Sequence, residues 1–69
     1  MVDIEKVKEQ IALAIEQSGL SQATIAKKIG VSQQAISAYL RKQKIPTLDT
    51  FIKLCVVLDL DANDILCIR

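Results

Sequence analysis

At 69 residues the chain has room for a single domain, 1–69, and a chain this short buries only ~60% of the surface that its unfolded form exposes. Its apolar residues (51%) are mostly Ile, Leu, Val and Ala, with one Phe, one Tyr and no Trp, so a small aliphatic core is expected and disorder is not. There is no histidine, only two glycines and two cysteines, and the acids are scattered; this excludes Ser-His and Cys-His nucleophile pairs, imidazole metal sites and glycine-rich phosphate loops.

The chain is therefore not expected to be an enzyme, and no cofactor, metal or small-molecule ligand is implied. Cys55 and Cys67 both lie in apolar runs and read as buried thiols of a reducing compartment rather than as a disulfide. No charged segment followed by an apolar one opens the chain, and no 18-residue apolar stretch occurs; a soluble, cytoplasmic protein without a membrane partner is expected. The net charge of +1 hides an uneven distribution. Between Gln17 and Leu48 there is no acid, while Lys27, Lys28, Arg41, Lys42 and Lys44 are all basic. The remainder sets Lys6, Lys8, Lys53 and Arg69 against eight acids, so the basic half is a candidate phosphate-facing surface.

In chain order, the first helix is predicted over about 3–17, where Ile4, Val7, Ile11, Ala14 and Ile15 recur at the spacing of one helical face. Gly19 stops it. Ser21 offers an N-cap to a second helix over 22–29, with Ile25, Ala26 and Ile29 inward, and Gly30 breaks it. Ser32 caps a third helix over about 33–42, and Pro46 forbids helix continuation and pushes Ile45 into an extended conformation. Thr47 caps a fourth over 48–58, and Asp61 a fifth over about 62–67. No period-two alternation appears, so the expected fold class is all-α, five short helices.

Two short helices joined through a glycine, the second rich in short polar side chains, form a helix-turn-helix pattern. Ala26 supplies the small residue that a close helix crossing needs, and Gly30 the flexible turn. On a helical wheel Ile36, Tyr39 and Leu40 make one apolar stripe of the third helix, while Gln34, Ser37, Ala38 and Arg41 fall opposite. That outer stripe is short and polar, suited to a major groove ~12 Å wide.

The stretch from about Ile11 to Leu66 resembles the lambda-repressor-like helix-turn-helix family of phage repressors, Cro and small bacterial regulators. The resemblance is carried by Leu20, Ser21, Gln22, Ala26, Gly30, Val31, Ser32, Ile36, Tyr39, Pro46, Leu48 and Leu58. It implies that double-stranded DNA is the partner, with Gln33, Gln34, Ser37 and Ala38 facing base edges. A glutamine amide can bond adenine N6 and N7, and a small side chain can touch a thymine methyl. It further implies that Gln22, Ser32, Arg41, Lys42 and Lys44 grip the backbone, with Gln22 also bracing Gln33. Such contacts set affinity and register rather than sequence preference.

Three departures stand out. Many relatives have Gly where Lys42 stands, so the end of the third helix is less predictable. Some bury an ion pair at the positions of Ile15 and Leu40, and here both partners are aliphatic, a paired replacement that leaves no orphan charge. The fourth helix places Leu48, Phe51, Cys55 and Leu58 on its expected core arc, with Ile52 and Leu54 at the borders and Val56 and Val57 outside. Val56 and Val57, together with Ile68, are thus candidate homodimer contacts. The reading is a small transcriptional repressor that binds a pseudo-palindromic operator as a homodimer. The alternative is an antitoxin or adaptor that uses the same fold to bind a protein.

Overall fold

Each helix starts where a short polar side chain can satisfy an N–H group that the first turn leaves without a partner. The computed structural model of the chain describes residues 3–66 and contains α1 (Ile4–Gln17), α2 (Gln22–Ile29), α3 (Gln33–Leu40), α4 (Leu48–Leu58) and α5 (Ala62–Leu66), with no strand among the described residues. The Asp3 carboxylate accepts from the Glu5 N–H at 3.0 Å, so α1 begins one residue after the cap. The Ser21 and Ser32 hydroxyls accept from the N–H groups of Thr24 and Ala35, each at 3.1 Å. Thr47 Oγ1 accepts from the Thr50 N–H at 3.4 Å, and Asp61 Oδ1 from the Asn63 N–H at 2.9 Å.

The helix stops are equally local. Gly30 takes the left-handed conformation (φ +75°), and its N–H and that of Val31 both donate to the Ala26 carbonyl, at 2.9 and 3.0 Å. That closure turns the chain from α2 into α3. The third helix was expected to reach about Lys42, but it ends at Leu40. Lys42 itself is left-handed (φ 61°) and donates to the Tyr39 carbonyl at 3.1 Å, while Gln43 donates to the Ala38 carbonyl at 3.0 Å. This pair of bonds is the Schellman closure, and it reverses the chain before Lys42 can join the helix.

The core gathers Val7, Ile11 and Ile15 of α1, Ile25, Ala26 and Ile29 of α2, Ile36 and Tyr39 of α3, Phe51 and Leu54 of α4, and Ile65 of α5. α3 packs on both α2 and α1, α4 lies against α2, and α5 against α1. Ile15 is fully buried and Leu40 packs against the same core, half-buried. On α1 the core face is rotated slightly from its expected position: Ala12 is buried, Ala14 only half-buried, and Ile4 is 48% exposed.

The fourth helix departs most from expectation. Thr50, Phe51 and Leu54 are buried, Cys55, Val57 and Leu58 pack half-buried against the core, and Leu48 is turned outward, 74% exposed. Leu54 therefore sits near the centre of the buried arc instead of its border, and Leu48 and Ile52 lie outside it. Thr50 can occupy the interior because its hydroxyl accepts from Thr47 Oγ1 at 3.2 Å, within the same cap that starts the helix. Cys67, the last residue expected in the fifth helix, and Ile68 lie outside the described residues.

Candidate nucleic-acid interface

The two serine caps bring the starts of α2 and α3 to one surface. Gln22 is the first residue of α2; Ser32 caps α3; Gln33 and Gln34 occupy its first turn, and Ser37 follows one turn on. These five residues line a single shallow depression. Gln33 and Gln34 are exposed, Gln22 and Ser37 half-buried. The stripe that anchors α3 lies behind them, with Ile36 fully buried and Tyr39 nearly so. Fixing the helix by that stripe fixes the direction in which the glutamines point.

The electrostatics of the depression suit an anion. A helix N-terminus carries roughly half a positive charge. The first turns of α1 and α4 hold the acids Glu5 and Asp49, whereas those of α2 and α3 hold no acid. Both helix starts at the depression thus keep their N-terminal field, which favours phosphate oxygens. The amides of Gln22, Gln33 and Gln34 each offer donors and an acceptor, and the Ser37 hydroxyl offers one of each, so the surface can match the mixed donor–acceptor edges of base pairs.

The remaining expected contacts do not line this depression. Ala38 is half-buried on α3, and Arg41, Lys42 and Lys44 are exposed in the segment after that helix. Lys42 lines a separate groove on α1, beside Glu9, Gln10 and Glu16. Lys27 and Lys28, at the end of α2, line a third with Ile52, Lys53 and Val56 of α4. The basic stretch that is continuous in sequence is thereby divided in space. Sequence reading pooled these five cations and missed the division, because the turn at Gly30 separates the end of α2 from the start of α3.

Of the residues assigned to self-association, Val56 is exposed, Val57 is half-buried against the core of its own chain, and Ile68 lies outside the described residues. Sequence reading also missed that Leu48 and Ile52 share the outward face of α4 with Val56. The four-residue spacing was visible, but the first two had been assigned to the core arc and its border. Burial raises the pKa of Tyr39, and burial together with the charge of Asp61 raises that of Cys55, so both stay protonated at neutral pH. Among the described residues no group of three His, Cys, Asp or Glu is placed to hold a metal ion, and no helix is long and apolar enough to cross a membrane.

The family model for helix-turn-helix domains matches residues 11–65, which includes every helix from the middle of α1 to α5. No curated protein and no solved structure matches the chain.

Proposed function

The chain belongs to the Cro/C1-type helix-turn-helix family of DNA-binding domains, and from that premise we propose that it is a small cytoplasmic transcriptional repressor that binds a pseudo-palindromic operator as a homodimer. α3 enters the major groove. Gln33, Gln34, Ser37 and Ala38 meet base edges there, while Gln22, Ser32, Arg41, Lys42 and Lys44 hold the phosphates on either side. Two copies occupy half-sites about one helical turn apart, ~34–36 Å. No cofactor and no catalysis enter this reading.

The observation that carries it is the shared depression, in which Gln22, Ser32, Gln33, Gln34 and Ser37 converge over two helix starts free of first-turn acids. Selection of bound sequences from a random duplex library tests it directly. An enriched inverted repeat is the expected result. A single unrepeated half-site would remove the homodimer, and no enrichment at all would remove base reading.

A further inference from the structure

The outward face of α4 is apolar where solvent should select polar residues. The buried arc is Thr50, Phe51 and Leu54. At 100° per residue the opposite direction falls to Leu48, Ile52 and Val56, spaced four apart and 74%, 53% and 76% exposed. The second half of this ridge, Ile52 and Val56, forms one wall of a groove, and Lys27, Lys28 and Gly30 at the end of α2 form the other.

Charge singles out the occupant. Lys53, on the rim, pairs with Asp49 at 3.5 Å. Lys27 and Lys28 have no ion-pair partner among the described residues. Both stand in the last turn of α2, where cations already suit the negative end of the helix dipole, so the groove is basic at no cost to folding. A second copy related by a two-fold axis would bring three lysines per chain together with one aspartate per chain to offset them, which disfavours self-association through this groove. DNA is disfavoured by position, because the groove shares no residue with the depression that holds the glutamines.

We propose that this groove docks an acidic amphipathic helix of another protein. Apolar residues four apart on that helix sit against Ile52 and Val56, and its flanking carboxylates reach Lys27 and Lys28. The apolar contacts hold the partner, and the rim charges steer it and reject basic helices. The partner and DNA can be bound together, since the two surfaces are distinct.

The probe is a capped synthetic helix of Leu, Ala and Glu with leucines four apart, set against the same peptide with Lys in place of every Glu. Each is titrated into the full ¹⁵N-labelled chain while amide shifts are followed. The expected result is saturable shifts confined to the end of α2 and the outward side of α4 with the acidic peptide only, weakening about tenfold or more at high salt. Val56→Asp, and Lys27→Gln with Lys28→Gln, should each weaken that binding by about tenfold, and neither should lower the salt slope for random duplex DNA by the roughly one unit per lysine that a phosphate contact carries. Equal response to both peptides, or shifts elsewhere, would overturn the proposal without reference to any variant. So would concentration-dependent dimerisation that Val56→Asp abolishes, which would make a second copy the occupant. A salt slope lowered by that amount in the lysine variant would instead assign Lys27 and Lys28 to phosphate.

Discussion

Lys42 occupies a backbone conformation that L-residues with a Cβ avoid. Its φ of 61° places it in the left-handed region, where the Schellman closure of α3 needs it. Such a residue costs about 1–2 kcal/mol, and glycine recovers this less ~0.5–1 kcal/mol of extra unfolded-state entropy. Lys42→Gly is therefore expected to stabilise the fold by about 0.5–1 kcal/mol, seen as a rise of roughly 2–8 °C in the thermal midpoint. The converse holds at Gly30, where space is open and only the φ of +75° opposes a side chain. Gly30→Ala should cost about 1–2 kcal/mol in a denaturant titration. Ile15 and Leu40 make a second contrast. Ile15 is 3% exposed and Leu40 only half-buried, so Ile15→Ala should cost ~2–5 kcal/mol and Leu40→Ala clearly less. Equal losses would mean that the two side chains close one well-sealed site between α1 and α3.

The helix starts, and the stop of α2 at Gly30, were legible because each depends on one or two neighbouring residues: a hydroxyl or carboxylate to receive an N–H, a glycine to reverse the chain. The stop of α3 was not, because Lys42 rather than a glycine takes the left-handed position. The rotation of α4 was not, because eight of its eleven residues are apolar and only Asp49, Thr50 and Lys53 are not. A pattern so nearly uniform leaves several arcs equally able to face inward, and packing against α2 decides among them. The surface that gathers Gln22 with Gln33 and Gln34 was legible only through family resemblance; periodicity gives the outer face of α3 but not what stands beside it. The α3 cap allows folding and binding to be separated. Ser32→Ala removes the acceptor for the Ala35 N–H and should cost ~1 kcal/mol. Ser32→Asp keeps an acceptor and suits the helix dipole, so stability should stay within about 0.5 kcal/mol of the parent. Its carboxylate nevertheless faces the proposed phosphate site, and duplex DNA affinity should fall by more than about tenfold. Melting curves and fluorescence anisotropy on the same two variants check this, and unimpaired DNA binding by Ser32→Asp would place the phosphates elsewhere.

For the whole molecule, a net charge of +1 says little about affinity for a polyanion, because the cations are sorted by place. Arg41 and Lys44 follow the far end of α3, while Lys27 and Lys28 face the groove against α4. Each phosphate neutralised by a lysine releases condensed counterions, and log affinity then falls with log salt by ~0.9 per contact. Lys44→Ala should thus weaken specific and scrambled duplexes by similar factors and reduce the salt slope by about one unit. Lys27→Ala and Lys28→Ala should leave both the affinity and the slope unchanged. Gln34→Ala should behave differently again. Its amide carries no charge, so the slope stays as it was, but a lost base contact costs ~1–3 kcal/mol on the preferred operator and little on scrambled DNA. Fluorescence anisotropy on both duplexes at several salt concentrations separates the three kinds of residue. If Gln34→Ala weakened both duplexes equally, α3 would dock in another orientation. If Lys27→Ala and Lys28→Ala each lowered the slope as Lys44→Ala does, DNA would wrap past the turn at Gly30, and the two basic regions would act as one.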